Sequence, residues 1–157
     1  MKRNVMAAAL LFGSAQAGFA LEAKVTKDTA ASAAATWGAI GDFCGIANWH
    51  PAVAKCEMSA KDGATFRTLT LKDGAKLLEK QIAFDPAAMS YSYSIEDGPL
   101  PVANYKSVLK VIAKDKGATV EWSGTFDGKG KPDGDVVKII SGIYEAGVDA
   151  LVSKPAK

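Results

Sequence analysis

The chain has 157 residues, of which 48% are hydrophobic, with 19 Lys and Arg against 17 Asp and Glu. This length and composition are typical of one globular domain that buries enough apolar surface to fold without metals or many disulfides. The net charge of +2 argues against nucleic-acid binding, which needs clustered Lys and Arg. No segment combines low hydrophobicity with a strong excess of one charge, so a disordered chain is also excluded.

The first twenty residues have the layout of a secretory signal peptide. Lys2 and Arg3 precede an apolar run from Val5 to Phe12, and small residues suited to cleavage follow at Ala17 and Ala20. The apolar run is too short to cross a bilayer of roughly 30 Å as a helix, so no permanent membrane anchor is expected.

Cleavage after Ala20 would leave residues 21–157 as a single domain, with cleavage after Ala17 as the alternative. Loss of Lys2 and Arg3 leaves 17 basic against 17 acidic residues, so the exported domain is expected to have no net charge. A cleaved signal peptide predicts a periplasmic location.

Cys44 and Cys56 are the two cysteines of the chain. Thiols of exported proteins tend to pair, and a bridge across this short separation stabilises a fold by about 3 kcal/mol. Two buried free thiols are the alternative, because a sequence does not show whether two Cα atoms lie within bonding distance. The spacing is not C-x-x-C, so a redox-active pair is not favoured.

The first predicted strand is Glu22 to Lys27, whose residues alternate weakly in polarity. The alanine-rich segment Thr29 to Gly38 predicts a helix with Asp28 or Thr29 as its N-cap. A short second helix is expected around Ile46 to Trp49, before Pro51. Six segments of alternating polarity then indicate an antiparallel meander of strands, because Asp-Gly and similar turn residues separate them. These segments are 53–59, 65–71, 75–84, 89–95, 102–113 and 118–126.

The last segment changes to helical periodicity. Apolar residues recur every three or four positions from Val136 to Leu151, which predicts an amphipathic helix of about five turns. Pro132 fits just before it, and Asp133 or Asp135 is the expected cap. The whole pattern predicts an α+β fold, in which a curved seven-stranded antiparallel sheet wraps round the long C-terminal helix. One or two short helices follow the first strand, and a cavity commonly remains between the sheet and the long helix.

Short sequence words follow one another in a specific order from about Glu22 to Leu151. They include Trp37 before Ile40-Gly41-Asp42-Phe43, Trp49-His50-Pro51, Arg67, Glu79, Tyr91 and Tyr93, Leu100-Pro101-Val102, Trp122-Ser123-Gly124 and Gly142-Ile143-Tyr144. In this order they resemble the START-like or SRPBCC superfamily, in particular its polyketide cyclase/dehydrase and lipid transport family. The resemblance implies the helix-grip fold and a cavity for a hydrophobic small molecule or lipid.

The phrases GDFCGIANWHPAV and LPVANY are similar to the MxaD-type family, which accompanies bacterial periplasmic methanol dehydrogenases. This narrower likeness implies an accessory role in methanol oxidation, with a periplasmic dehydrogenase or cytochrome as partner.

The cavity of such a fold is expected to be lined by aromatic side chains with few polar anchors, which favours binding over hydrolysis. The candidate lining residues are Trp49, His50, Arg67, Leu69, Glu79, Tyr91, Tyr93, Tyr105, Trp122 and Tyr144.

His50 is the only histidine, which excludes multi-histidine zinc sites, and neither a metal nor a cofactor is predicted. Its place where a loop enters the sheet suits an acid or base at the rim of the cavity. The alternative is a histidine that only makes local hydrogen bonds, because the sequence shows no partner that would orient it.

Arg67 is the only arginine after the signal segment, and Glu79 follows it on the next predicted strand. A buried guanidinium needs a carboxylate or an anionic ligand group, so the two side chains are expected to form a structural ion pair, with ligand recognition as the alternative. A two-residue turn at Asp73-Gly74 would place Thr68 opposite Glu79. A slip of one residue would place Leu69 there and make Arg67 a diagonal neighbour.

Three functions remain open at this point. The first is a non-enzymatic periplasmic protein that binds a hydrophobic ligand or assists a dehydrogenase system. The second is a polyketide cyclase or dehydratase acting on an apolar carbonyl substrate, with His50, Arg67 or a tyrosine as the acid, base or orienting group. The third is an interaction with another protein through an exposed apolar rim.

Overall fold

The computed structural model describes residues 18–153, which form a single sheet with helices on its concave side. The predicted signal peptide lies almost wholly outside these residues. The strands are β1 (Leu21–Thr29), β2 (Val53–Lys61), β3 (Ala64–Leu71), β4 (Lys76–Asp85), β5 (Ser90–Asp97), β6 (Val102–Ala113) and β7 (Ala118–Gly128). The helices are α1 (Ala33–Ile40), a 3₁₀ helix (Gly45–Asn48) and α2 (Asp133–Val152).

All neighbouring strands are antiparallel, in the order β1-β7-β6-β5-β4-β3-β2. The sheet is therefore a meander that β1 closes by pairing with β7, and its two edges are β1 and β2. Together with α2 it confirms the predicted α+β helix-grip architecture. Between residues 18 and 153 no helix is long and apolar enough to span a membrane.

The long helix α2 packs on the concave face through the predicted apolar stripe. Its buried residues are Val136, Ile140, Tyr144, Gly147, Val148 and Leu151. At Gly147 the helix is in close contact with the core, because a Cβ atom there would lie 2.7 Å from the His50 ring and 2.6 Å from Trp122. A side chain at this position would push the helix away from the sheet.

Helix α1 begins later than predicted. Asp28 and Thr29 do not cap it, because both belong to β1 and pair with Thr119 and Ala118 of β7. The ladder of β1 thus overrides the helix propensity of the alanine-rich run. Ser32 is the N-cap instead, and its hydroxyl accepts a hydrogen bond from the Ala35 amide at 3.2 Å.

The start of α2 also differs from the prediction. Its N-cap is Pro132, and no side chain caps the helix. Asp133 and Asp135 both lie inside the first turn, one and three residues after the N-cap position. Their negative charges still favour the positive end of the helix dipole.

A disulfide joins Cys44, just before the 3₁₀ helix, to Cys56 of the edge strand β2, with their Cα atoms 5.5 Å apart. Of the two alternatives left by the sequence, the structure has the bridged one. The bond ties the segment after α1 to the edge of the sheet, directly beside Phe43.

Candidate functional site

A cavity of about 90 Å³ lies between the concave face of the sheet and α2. Most of its lining is aliphatic or aromatic, with side chains from the 3₁₀ helix, from β2 to β7 and from α2. The least buried lining residues mark the side on which it opens. They are Ala52, Leu71, Ile95, Leu100 and Ile143. The mouth of the cavity is therefore apolar.

Three tyrosine hydroxyls meet on the inner wall of the cavity. The Tyr93 hydroxyl lies 3.3 Å from that of Tyr105, which hydrogen-bonds in turn to the hydroxyl of Tyr144. Tyr144 donates to the Ser107 hydroxyl at 3.1 Å, and Ser107 donates to the Ser123 carbonyl at 2.8 Å. These groups form one continuous buried chain of hydrogen bonds.

We call Tyr93, Tyr105, Tyr144 and Ser107 the hydroxyl chain. Trp122 lies beside it and contacts two of its members. Its indole Nε1 donates to Ser107 at 2.9 Å and lies 3.2 Å from the Tyr93 hydroxyl. Burial raises the pKa of Tyr144 to about 12 and moves the pKa values of Tyr93 and Tyr105 well above their ordinary value. All three phenols are therefore protonated at neutral pH.

Arg67 and Glu79 lie directly opposite each other on β3 and β4, and both are buried. The guanidinium Nε donates to the carboxylate at 2.5 Å. The ion pair was predicted, but both proposed registers were wrong. The β3–β4 loop has three residues, since Leu71 donates to Ala75, and Gly74 adopts a φ of 88° within it. The extra loop residue places Arg67 opposite Glu79, one position before Thr68, whereas the predicted slip would have moved the pairing to Leu69.

The guanidinium of Arg67 is enclosed by aromatic rings. Its Cζ lies 4.0 Å from the centre of the Phe43 ring and 5.0 Å from that of Tyr93, and Nη1 donates to the Phe43 carbonyl. Nη2 is buried without a hydrogen-bond partner among the described residues, as is the hydroxyl of Tyr91. Arg67 therefore binds Glu79 from behind the cavity wall.

Burial raises the pKa of Glu79, and the charge of Arg67 opposes that shift. Arg67 keeps its proton, because the pKa of a guanidinium is far above neutral and Glu79 raises it further. Within the described residues Glu79 is its only salt-bridge partner. An ionised Glu79 is thus the counter-charge that makes burial of Arg67 possible.

His50 has both ring nitrogens engaged. Nδ1 accepts a hydrogen bond from the Ala52 amide at 3.1 Å, so the proton lies on Nε2, which faces the Ile143 carbonyl at 3.0 Å. Burial lowers the pKa of the imidazole. This is the local hydrogen-bonding alternative of the sequence analysis, and it leaves no lone pair for a substrate.

Seven of the ten predicted lining residues line this cavity. They are His50, Leu69, Glu79, Tyr93, Tyr105, Trp122 and Tyr144. The other three lie behind its wall: Trp49 donates its Nε1 to the Ile40 carbonyl at 3.1 Å, Arg67 is covered by Glu79 and Phe43, and Tyr91 packs among Trp37, Phe43 and Phe84.

Ser107 is a site residue that the sequence analysis missed. It lies on β6 two residues after Tyr105 and two before Leu109, so the alternation of the strand places it on the inward face. A small polar residue between two large buried ones is the signal that could have identified it. Gly124 is a second missed residue, because a side chain there would collide with the Tyr144 hydroxyl.

Residues 18–153 contain no group of three His, Cys, Asp or Glu side chains arranged to hold a metal ion. The site is therefore described by its cavity, its hydroxyl chain and its ion pair.

A curved sheet that grips a helix over an apolar cavity defines a class of binding-cavity proteins. Within that class, the model of the family described as polyketide cyclase / dehydrase and lipid transport matches residues 20–154. The chain belongs to this family. Proteins of known structure share the fold, whereas no curated protein matched the sequence.

Two of the similar structures are close to 30% identical to this chain. The protein XoxI from Bacillus cereus is 29% identical with a TM-score of 0.77, over 83% of this chain and 92% of that chain. A protein from Thermobifida fusca is 28% identical with a TM-score of 0.72, over 83% and 90%. The ZhuI aromatase/cyclase from Streptomyces sp. R1128 is 17% identical with a TM-score of 0.68, over 85% and 92%, and shows the fold alone.

Proposed function

We propose that this protein is an exported, non-enzymatic binding protein that holds a small hydrophobic molecule in the cavity under α2. The observation that carries the proposal is the cavity itself, because its lining is largely apolar and most of its polar groups are already hydrogen-bonded within the protein. Ligand sites are typically apolar clefts with a few fixed polar groups.

The state of the polar groups favours binding over catalysis. A general base needs a free lone pair at a suitable pKa, and His50 has none because Ala52 and Ile143 occupy both nitrogens. The three tyrosines are held in their protonated form, and Arg67 holds Glu79 as its counter-ion.

The size of the cavity limits what it can enclose. Pockets for drug-sized ligands hold roughly 300 to 1,000 Å³, whereas this cavity holds about 90 Å³. An engineered cavity of about 150 Å³ accepts benzene, so by proportion this one encloses roughly four non-hydrogen atoms. The ligand is thus a very small molecule or the end of a longer one whose remainder lies on the apolar mouth.

Xenon offers a direct test, because it enters apolar cavities without needing any polar contact. Under xenon pressure, NMR shifts should concentrate on the methyl groups of Leu69, Ile140 and other lining residues. Leu69→Phe fills the cavity and should abolish the shifts. Val108→Phe adds the same ring on the outer face of the sheet and should leave them unchanged. Absence of shifts in the unmodified protein would refute the proposal.

Export and a role beside a methanol dehydrogenase are part of this proposal. They are supported by the signal-like N-terminus, by the likeness to the MxaD-type family and by the Cys44–Cys56 disulfide, since disulfides persist in oxidising compartments. Cell fractionation tests the location. A deletion strain that oxidises methanol at the unchanged rate would refute the accessory role.

One observation favours an enzyme as the second candidate. Glu79 places a carboxylate on the wall of an aromatic-lined cavity, and the similar ZhuI structure is named an aromatase/cyclase. His50 and Arg67 no longer support a cyclase or dehydratase, because neither offers a free group to the cavity. An enzyme would turn over an apolar carbonyl substrate and lose turnover in Glu79→Gln, whereas a binding protein shows no turnover in either form.

A further inference from the structure

The polar groups of the cavity have a fixed hydrogen-bond polarity. Ser107 donates its only proton to the Ser123 carbonyl, which cannot donate in return. The Ser107 oxygen accepts from Trp122 and from Tyr144, so both of its acceptor positions are filled. The hydroxyl proton of Tyr144 is therefore used in its hydrogen bond to Ser107.

The donor in each of the other hydrogen bonds of the hydroxyl chain follows in the same way. Since Tyr144 donates to Ser107, the hydrogen bond between Tyr105 and Tyr144 is donated by Tyr105. Since Tyr105 donates its hydroxyl proton to Tyr144, Tyr93 is the donor in the hydrogen bond between Tyr93 and Tyr105. All three phenolic protons point away from a ligand, and only oxygen lone pairs remain.

The remaining polar lining residues likewise offer no proton. The Nε2 proton of His50 faces the Ile143 carbonyl, and the indole proton of Trp122 faces Ser107 and Tyr93. Glu79 is an acceptor. Only one of its oxygens is bonded to Arg67, and no hydrogen bond between described residues reaches the other. Glu79 itself lines the cavity, so this carboxylate is the acceptor that a ligand in the cavity meets.

A cavity whose polar groups are all acceptors disfavours a ligand that can only accept. A carbonyl or carboxylate oxygen placed against Glu79 would face a negative charge and lose its hydrogen bonds to water. A cation is also disfavoured, because Arg67 lies directly behind Glu79 and already balances its charge. A neutral hydroxyl group can donate to Glu79 while its carbon stem fills the apolar part of the cavity.

We infer that the cavity selects a small uncharged alcohol, or the hydroxyl-bearing end of a longer apolar molecule, with Glu79 accepting the hydroxyl proton. This inference rests on the proposed binding function and adds the chemical class of the ligand. It assigns to Glu79, together with the closed hydroxyl chain, the role of a filter against carbonyl compounds.

The pair 2-propanol and acetone tests the inference, because both have four non-hydrogen atoms and only the alcohol donates a hydrogen bond. NMR titration of the full chain should give 2-propanol a dissociation constant at least about tenfold below that of acetone, as one net hydrogen bond predicts. Acetone binding as tightly as 2-propanol, or more tightly, overturns the inference and leaves the binding function standing. If neither of these nor xenon shifts the lining methyl groups, the binding function fails as well.

Two variants assign the preference to Glu79. Glu79→Gln presents an amide donor and should bring acetone to the affinity of 2-propanol or beyond. Because that variant leaves Arg67 unpaired and can fail to fold, Arg67→Met combined with Glu79→Leu removes both charges together. In the double variant the ratio of the acetone to the 2-propanol dissociation constant should fall toward one. Leu69→Phe as a single substitution should abolish the binding of both compounds. A preference of tenfold that persists in the folded double variant overturns the role of Glu79.

Discussion

The core of this protein contains two sets of buried polar side chains that meet their hydrogen-bonding needs in different ways. The hydroxyl chain is uncharged, and each of its protons has an acceptor. The Arg67–Glu79 pair is charged, and among the described residues neither Nη2 of Arg67 nor the second oxygen of Glu79 has a hydrogen-bond partner.

The difference separates groups that hold the fold from groups that are available to a ligand. A satisfied neutral network fixes the orientation of its side chains and costs little to bury. A buried ion pair is costly to desolvate and is often replaceable by apolar residues without loss of stability. The position of Glu79 on the cavity wall, with Arg67 behind it, is therefore better explained by the proposed ligand selection than by stability.

The largest expected effect comes from splitting the ion pair. Glu79→Leu leaves the Arg67 charge buried without a counter-ion and should lower the free energy of unfolding by about 3 to 5 kcal/mol. Arg67→Met combined with Glu79→Leu should recover most of that loss, because no charge remains buried. Urea unfolding followed by tryptophan fluorescence measures both. A double variant as unstable as the single one would show that the pair itself holds the fold.

The next effect concerns the covalent support of the ion pair. The Cys44–Cys56 disulfide anchors the segment that contains Phe43, whose carbonyl and ring both contact Arg67. Cys44→Ser with Cys56→Ser should lower the free energy of unfolding by about 3 kcal/mol on the loop-entropy model. The unmodified protein under reducing conditions is the matched control and should lose a similar amount. A loss well below 1 kcal/mol would mean that packing alone holds this segment.

A smaller effect is expected inside the hydroxyl chain. Tyr105→Phe removes the acceptor of Tyr93 and the donor to Tyr144, which should lower the free energy of unfolding by about 1 to 2 kcal/mol. Tyr91→Phe is the matched control, because its buried hydroxyl has no hydrogen-bond partner among the described residues. That variant should be neutral or slightly stabilised. An equal decrease in the free energy of unfolding of the two variants would contradict the conclusion that the hydrogen bonds of the hydroxyl chain stabilise the fold.

The sequence predicted well those features that depend on local patterns. Strand β6 has the predicted bounds, Val102 to Ala113, since alternation and flanking turns determine them locally. The start of α1 was missed because a long-range pairing holds Thr29 in β1 opposite Ala118. The partners Arg67 and Glu79 were found, but their register depends on one extra residue in the β3–β4 loop.

The site was harder to predict than the fold, because its lining depends on which inward side chains reach the cavity. Arg67 and Tyr91 point inward like Glu79 and Tyr93, yet they lie against Phe43 rather than in the cavity. The alternation of β6 indicates only that Ser107 faces inward, because its role depends on contacts from β7 and α2. The polarity of the hydroxyl chain follows only from knowing all of these partners at once.

The smallest expected effect is a pH dependence at His50, which links α2 to the loop before β2. Burial lowers its pKa in the folded protein below the ordinary value of 6.5, against the opposing effect of the Ile143 carbonyl. Between the folded and unfolded pKa values only the unfolded chain binds the proton. The free energy of unfolding should therefore fall as the pH drops below about 6.5, by at most about 1.4 kcal/mol per pH unit. Urea unfolding from pH 7 to 5 should show this slope in the unmodified protein and not in His50→Gln. If the unmodified protein and His50→Gln show the same pH dependence over that range, His50 binds its proton equally well in the folded and unfolded chain. That result would contradict the engagement of both ring nitrogens.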